Sequence, residues 1–313
     1  MNNNITSSRL ALVAAVTMTA GASALPAQVK YDSTKTQIVF LGTGTPFPDP
    51  QRAGPSLAIV VNGASYIVDA GPGIVRRARQ AAMSGVAALK QPNLKRVFIT
   101  HLHSDHTLGL PDLMYTPWVI HRLDPLEVYG PPGIAAMVHH IQEAYKEDND
   151  IRINGLERQD TTGNVINAHE VTGGIIYKDK NVTVTAFPVP HGSWKYSFGY
   201  KFQTADRTIV VSGDTRPSDN VSSACNGCDV LVHEVYTEQG YQQSDSSWRQ
   251  YIRSFHTSTK ELAEVATKGR ARLLILTHQM WFGDSTDTET SMLAELHKLY
   301  RGRVVSAHDL DIF

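Results

Sequence analysis

The sequence is poor in cysteine and carries no excess of positive charge. The first shortage argues against a cysteine metal or redox site, and the second against a nucleic-acid-binding surface. There are two cysteines in 313 residues, so there is no second pair for a cysteine zinc site, and no thioredoxin-like pattern accompanies them. The 29 basic side chains are balanced by 30 acidic ones. This balance leaves no basic footprint for nucleic acid, and we therefore expect nucleic acid to be an unlikely partner.

Long apolar runs are also scarce, and the only conspicuous one lies near the N-terminus. Residues 1–9 are polar with one positive charge, residues 10–21 are apolar, and residues 22–24 read Ala-Ser-Ala, like a signal-peptide cleavage site. The run is short for a bilayer span. We expect a signal peptide over 1–24, a single domain over 25–313 without a membrane anchor, and a periplasmic or secreted protein. A buried first helix is the alternative.

The two cysteines, Cys225 and Cys228, are separated by only two residues. In an exported protein such a pair could close a small disulfide loop. The sequence leaves open whether they form this bridge or remain free thiols.

The most informative segment is residues 100–107, where the apolar run 96–99 ends in the pattern His-x-His-x-Asp-His. A strand that ends in this way delivers metal ligands to one edge of a sheet, and imidazole and carboxylate groups suit an ion such as zinc. His101 and His103 can face one ion from an extended segment. Asp105 and His106 follow after the chain turns and can face a second ion.

Three later β-like segments also end in a possible ligand: His191, Asp214 and His278. Ligands collect at the carboxyl ends of strands in α/β proteins. Each of these residues alone would be weak evidence. Four strand-like segments that all end in a possible metal ligand are much less well explained by chance.

These motifs together resemble the metallo-β-lactamase-fold hydrolases over about residues 37–313. The position of Asp214 and the segments around Glu234 and His256 are similar to those of the ribonuclease Z and arylsulfatase-like branch. The resemblance implies an α/β fold of four layers (αββα), with two stacked mixed sheets and outer helices. It implies one ion held by His101, His103, His191 and Asp214. It implies a second ion held by Asp105, His106, Asp214 and His278.

The expected chemistry needs two ions and a proton donor. Two ions about 3.5–4 Å apart can share a bridging hydroxide as the nucleophile. Two zinc ions are expected, although manganese or iron would also suit these ligands. We assign catalytic roles to Asp105 and to His256 as a general acid oriented by Glu234; the alternative for His256 is a position at a helix start. Asp69 is expected to hold a ligand histidine in its tautomer.

The substrate is predicted from what surrounds this site. We expect an aromatic rim around the metal site. Ribonuclease Z enzymes hold transfer RNA with a basic arm, and this sequence contains no such arm. The rim is expected to contain Trp118, Trp194, Tyr196, Trp248 and Trp281. This favours an exported hydrolase of small sulfate or phosphate (di)esters, arylsulfatase- or phosphodiesterase-like. The alternatives are a lactonase or β-lactamase-type hydrolase, a ribonuclease Z-type endonuclease, and a catalytically silent metal-binding protein. The oligomeric state stays open, a homodimer being one option.

Periodicity and turn residues predict the elements. Helices are expected over 73–83, 133–146, 257–268 and 287–299. Strands are expected over 37–41, 56–61, 65–69, 126–129, 198–204 and 207–211, with a tight hairpin turn at Asn62 and Gly63. The polar segment 148–182 is expected to hold a small hairpin or strand pair.

Overall fold

The computed structural model describes residues 31–313, so the predicted signal peptide lies outside the described residues. Two sheets are stacked face to face, and in each sheet the strands lie in the order of the sequence. The first contains β1 (Gln37–Gly42), β2 (Ser56–Val61), β3 (Ala64–Val68), β4 (Arg96–Phe98), β5 (Leu126–Gly130) and β6 (Ile166–Glu170). The second contains β7 (Gly174–Lys178), β8 (Thr183–Pro188), β9 (Phe198–Gln203), β10 (Thr208–Val211), β11 (Val230–Tyr236), β12 (Leu273–Met280) and β13 (Arg303–Ser306).

Both sheets are mixed in the same way. Strands β1 to β3 pair antiparallel and β3 to β6 parallel. Strands β7 to β10 pair antiparallel and β10 to β13 parallel. The parallel strands of each sheet therefore bring their carboxyl ends to one edge, which is where ligands collect in such sheets.

Helices cover the outer face of each sheet. The first half of the chain contributes α1 (Ile74–Met83), α2 (Ser104–Thr107), α3 (Leu110–Val119), α4 (Ile134–Ala144) and α5 (Lys146–Asn154). The second half contributes α6 (Asp219–Cys225), α7 (Glu238–Gln243), α8 (Ser246–Phe255), α9 (Thr259–Gly269) and α10 (Glu289–Leu299). The four predicted helices are confirmed as α1, α4, α9 and α10, with ends that differ by at most two residues.

The alternation of side chains along the strands explains the layers. In β1, Ile38 and Phe40 pack into the core between the two sheets. Val39 and Leu41 point the other way and pack with Ile74 of α1 in the outer core. A third core joins the second sheet to α9 and α10. The predicted four-layer αββα arrangement is confirmed.

The predicted hairpin within residues 148–182 is wrong. Strand β6 pairs with β5 in the first sheet, whereas β7 pairs with β8 in the second. Gly173, between the two strands, and Gly174, the first residue of β7, both have positive φ and allow the chain to cross from one sheet to the other. Each strand has a sheet edge to extend, so the two do not pair with each other.

Two smaller features complete the description. The structure joins Cys225 and Cys228 by a disulfide at the end of α6. Within residues 31–313, no helix has both the length and the apolar character that crossing a membrane requires.

Candidate metal centre

The seven predicted ligands all converge at the edge where the parallel strands end. His101 and His103 follow β4, and Asp105 and His106 lie on the short helix α2. All except His103 are buried. A hydrogen bond from the His106 backbone N–H to His103 O, 3.2 Å long, turns the chain between the two pairs. This turn sends the pairs to different sides of the site.

The remaining ligands depend on unusual backbone geometry. In the pairing of β11 with β12, Glu234 faces Thr277 and Val235 faces Gln279, so His278 is left unpaired as a bulge with φ of 44°. A bulge re-aims the side chain of the extra residue. Gly213, with φ of 62°, precedes Asp214, and a Cβ at Gly213 would lie 2.8 Å from Phe198 O.

Three imidazoles form the first group of possible ligands. His101 Nε2 lies 3.0 Å from His103 Nδ1, and His191 Nε2 lies 3.1 Å from the same atom. Asp214 Oδ2 is 4.0 Å from His101 Nε2. These four side chains are the ones that the resemblance assigns to one ion.

The second group shares Asp214 with the first. His278 Nε2 lies 3.1 Å and His106 Nε2 3.4 Å from Asp105 Oδ2. Asp214 Oδ2 is 3.4 Å from each of the same two nitrogens. Asp214 is therefore the carboxylate that can reach both groups.

These spacings fit divalent ions. Bonds of about 2.0–2.1 Å in a tetrahedron place neighbouring ligand atoms about 3.3–3.4 Å apart, close to the separations in both groups. His106 Nε2 is buried without a hydrogen-bond partner, as expected for an atom that binds a metal. Burial would raise the pKa of Asp214, but His278 and His106 hold it well below its usual value. The donor set thus suits two ions.

Asp69 fixes two of the histidines from behind. His106 Nδ1 donates to Asp69 Oδ2 at 2.8 Å. His101 Nδ1 lies 3.0 Å from Thr100 Oγ1, which in turn donates to Asp69 Oδ2 at 2.9 Å. Both imidazoles therefore present Nε2 to the site. Such outer partners set the tautomer and orientation of metal-binding histidines.

His103 has a different neighbour. The indole Nε1 of Trp194 lies 2.7 Å from His103 Nε2. An indole can only donate, but a neutral imidazole that binds metal through Nδ1 carries its own proton on Nε2. Metal binding by His103 in this orientation therefore requires Trp194 to move. Trp194 was expected in an aromatic rim, and its contact with His103 was not predicted.

Glu234 and His256 lie beside Asp214. His256 Nδ1 is 3.5 Å from Glu234 Oε2, while the other oxygen of Glu234 accepts the Thr257 N–H at 3.0 Å. Burial lowers the pKa of His256 to about 4. Burial and the charge of Asp214 raise the pKa of Glu234 well above its usual value. Burial thus favours the neutral form of both groups.

His256 lies between two helices. The N-cap of α9 is Ser258, which forms a capping box with Glu261. His256 lies two residues earlier, at the C-cap of α8, so its role as a general acid stays a prediction.

Comparisons with known proteins agree with this geometry. A model of the β-lactamase superfamily domain matches residues 65–279. Ribonuclease Z of Mycobacterium bovis (strain BCG / Pasteur 1173P2) is 33% identical over 278 residues, which cover 88% of this chain and 96% of the relative. The chain belongs to the metallo-β-lactamase-fold hydrolases, in the ribonuclease Z branch. It is a metal-dependent hydrolase that acts on ester bonds.

Solved structures support the fold of this hydrolase. The metallo-β-lactamase fold protein YhfI from Bacillus subtilis superposes with a TM-score of 0.66 at 16% identity, covering 89% of this chain and 98% of that one. The short form of human tRNase Z superposes with a TM-score of 0.63 at 23% identity, covering 88% and 98%.

One prediction about the partner of this hydrolase is wrong. We expected nucleic acid to be an unlikely partner, but the curated relative is named a ribonuclease. The prediction used the balance of charge over the whole chain. Net charge averages the entire surface and says little about the few side chains around one cleft.

The predicted aromatic rim of the hydrolase needs correction as well. Trp118, on α3, is only 1% exposed and packs in the outer core. Its indole N–H donates to Asp160 O. The ring of Trp281 faces the Arg52 guanidinium at 5.6 Å, and that of Tyr196 faces Lys195 at 5.0 Å. Two aromatic residues of α8 that the sequence did not indicate lie near the centre: Phe255, whose ring is 5.0 Å from that of His191, and Tyr251, which stacks on Phe255.

Proposed function

We propose that this hydrolase cleaves phosphodiester bonds, that RNA is its substrate class, and that it uses two zinc ions. The observation that carries the proposal is the position of Asp214, between two ligand groups and next to the Glu234–His256 pair. Phosphodiester hydrolysis needs positive charge on both sides of the phosphate and a proton for the departing oxygen. The match to ribonuclease Z over nearly its full length supports RNA as the substrate.

Two bound ions would supply the activated water and the positive charge that stabilises the transition state. The side chains of the protein orient the ligands and supply the proton for the leaving group. Asp69 and Thr100 hold the imidazoles of His106 and His101 in the orientation for binding. Glu234 lies against His256 and orients it, and His256 can pass a proton to the leaving oxygen.

Zinc is proposed from the donor set. Five imidazoles and two carboxylates, without thiolates, form the two groups. Imidazole nitrogen suits zinc, although iron and manganese sites also use these donors. Elemental analysis of the purified protein is expected to give two ions per chain, with zinc predominant. The Asp214→Ala variant should lose both, because its carboxylate reaches both groups.

A panel of substrates tests the reaction class. Metal-loaded protein is expected to hydrolyse bis-p-nitrophenyl phosphate and to cut single-stranded RNA, and Asp214→Ala should do neither. An aryl sulfate, a lactone and a β-lactam serve as comparisons. Faster hydrolysis of any of these three than of the phosphodiester would contradict the proposal.

The role of His256 is tested by its leaving-group dependence. His256→Ala should keep its metal but lower kcat by about 10²–10⁴-fold for alkoxide leaving groups, because their departure needs a proton. The loss should shrink for nitrophenolate, which leaves without one. Glu234→Gln should follow the same trend more weakly.

A competing assignment makes His256 a ligand, since its imidazole, Glu234 and His278 lie within reach of one ion. Loss of metal in His256→Ala would favour that assignment. Equal losses for all leaving groups would instead show that His256 binds substrate or supports the fold.

We also propose that the protein is exported, on the basis of the signal-peptide pattern in residues 1–24. Mass spectrometry of exported protein should find an N-terminus near Leu25, or at Gln28 if cleavage follows Pro26 and Ala27. An intact Met1 in a cytoplasmic fraction would contradict export.

A further inference from the structure

Helix α8 carries a row of aromatic rings that leads from the surface to the metal centre. Trp248, Tyr251 and Phe255 follow one another at spacings of three and four residues, so they share one face of the helix. The rings of Trp248 and Tyr251 are 5.5 Å apart and edge-on. Those of Tyr251 and Phe255 are stacked with their centroids 4.5 Å apart.

The inner end of the row touches the predicted ligands. The Phe255 ring lies 5.0 Å from that of His191 and 6.2 Å from that of His103. The Phe255 carbonyl also accepts the Nδ1 proton of His191, at 2.8 Å. The Tyr251 ring lies 6.2 Å from that of His256, whose Nδ1 is 4.0 Å from Asp214 Oδ2. Tyr251 is therefore near the centre.

The outer end of the row is open to solvent. Trp248 is 48% exposed and Tyr251 is 40% exposed. Ile252 is the one residue of α8 that is fully buried, and it packs with Tyr236 and Met280. The helix is thus anchored through Ile252, and packing does not account for two large exposed rings beside a hydrolytic site.

Positive charge without an ion-pair partner among the described residues lies in a groove beside this helix. Arg216 and Arg253 line a groove next to α8 together with Tyr251, Phe255 and Glu261. Both arginines are exposed, and neither makes an ion pair with another described residue. Guanidinium groups bind phosphate well because their fork of donors matches its oxygens.

We infer that the exposed face of Trp248 and Tyr251 stacks an unpaired nucleobase next to the bond that is cut, and that Arg216 and Arg253 bind an adjacent phosphate. This inference rests on the proposed function. Aromatic side chains bind bases of any identity, because every base has a flat π face. The row would therefore favour single-stranded nucleic acid over small esters without reading its sequence.

Two esters with the same leaving group test the inference with metal-loaded protein. Methyl p-nitrophenyl phosphate has no base, and uridine 5′-p-nitrophenyl phosphate has one. The wild-type protein should prefer the uridine ester. Trp248→Ala and Tyr251→Ala should each raise KM for the uridine ester by about tenfold, in line with the worth of one base–aromatic stack, and leave kcat/KM for the methyl ester unchanged.

Tyr145→Ala is the matched control. Tyr145 is also a partly exposed ring (43%) next to another, with its centroid 4.7 Å from that of Tyr115, but it lies at the end of α4. Its substitution should change neither substrate. Calorimetry adds a binding measurement: the Kd of uridine 5′-monophosphate should rise about tenfold in the two α8 variants, while that of inorganic phosphate stays constant.

Three results separate the possible failures. Hydrolysis of both esters with equal efficiency would overturn base stacking and leave the phosphodiesterase proposal intact. Hydrolysis of neither would overturn the proposed function, and the calorimetric comparison would then decide the stacking by itself. Equal losses on both esters in the α8 variants would show that the rings only support the metal centre, which also overturns the inference.

Discussion

At the scale of single residues, Asp69 has the largest influence on the centre without reaching the ions. It accepts the His106 Nδ1 proton directly and holds that of His101 through Thr100. Asp69→Asn should lower metal affinity by about 10–100-fold, the usual effect of removing such a partner. Competition with a chelator measures the change.

Asp179→Asn is a suitable control for this loss. Asp179 lies at the other end of β8 from His191 and accepts protons from the hydroxyls of Tyr66 and Tyr177. Its substitution should lower stability but leave metal affinity unchanged. If both variants lost metal equally, general destabilisation rather than histidine orientation would explain the effect of Asp69.

Trp194 should report metal binding directly. Its indole N–H points at His103 Nε2, an arrangement that conflicts with ligation through Nδ1. Adding zinc to metal-free protein should therefore displace the indole and change the tryptophan fluorescence. The change should vanish in Trp194→Phe but persist in Trp248→Phe. A zinc titration that leaves the fluorescence constant would mean that His103 binds in another orientation.

The sequence predicted residues whose chemistry is visible in their type and spacing. His-x-His-x-Asp-His identifies ligands because few other roles need four such groups within six residues. Trp194 and Phe255 could not be found in this way. Their role depends on which rings the fold brings next to His103 and His191, and a lone aromatic residue carries no such signal.

At the scale of secondary-structure elements, glycine and bulge positions aim the ligands. Gly213 has φ of 62°, and a Cβ there would lie 2.8 Å from Phe198 O and 3.0 Å from Thr100 Cβ. Gly213→Ala should lower the free energy of unfolding by about 1–3 kcal/mol through backbone strain, with the clash adding to it. It should also reduce metal content, since Asp214 follows directly.

Gly63→Ala separates strain from the clash. Gly63 also has a positive φ, 77°, but nothing lies within 4 Å of its Cβ position. This variant should cost only the strain, about 1–3 kcal/mol without the added clash, with normal metal content. Urea unfolding and elemental analysis measure both effects. A Gly213→Ala protein with full metal content would show that Asp214 tolerates a shift of its loop.

Elements with a clear apolar pattern were predictable, and α8 was not. Helix α9 has six buried residues at helical spacing, and α8 has one, Ile252. The apolar residues of α8 do recur at helical spacing, at positions 248, 251, 252 and 255, but its ten residues are a short window in which to recognise a helix. The crossing at residues 171–173 was missed for a different reason, because pairing with two different sheets is a property of the whole fold.

At the scale of the whole molecule, burial of neutral histidines makes the metal-free protein sensitive to acid. Burial lowers the pKa of His191 to about 3 and those of His256 and His233 to about 4. The unfolded chain takes up these protons near the usual value of about 6.5. Between about pH 6.5 and 4 the unfolded state binds more protons, so these groups make stability fall as the pH falls.

Two histidines act in the opposite direction. The pKa values of His106 and His278 are raised, since the pull of Asp214 outweighs their burial. Below about pH 6.5 both are protonated in the folded and in the unfolded state, so their stabilisation is lost only as the pH rises above this value and does not offset the slope between pH 6.5 and 4. His233 gives the cleanest test because it lies outside both ligand groups.

The contribution of His233 can be isolated by a substitution that does not titrate. His233 Nδ1 donates to Glu234 O at 2.7 Å, and His233→Asn keeps a donor at this position. Urea unfolding of chelator-treated protein between pH 6 and 4.5 should show that the slope of unfolding free energy against pH is smaller in His233→Asn by up to about 1.4 kcal/mol per pH unit, the value of one proton. The two proteins should differ least in slope above pH 7, where His233 is neutral in both states. Identical slopes below pH 6 would mean that His233 becomes protonated in the folded protein, and that burial does not keep it neutral.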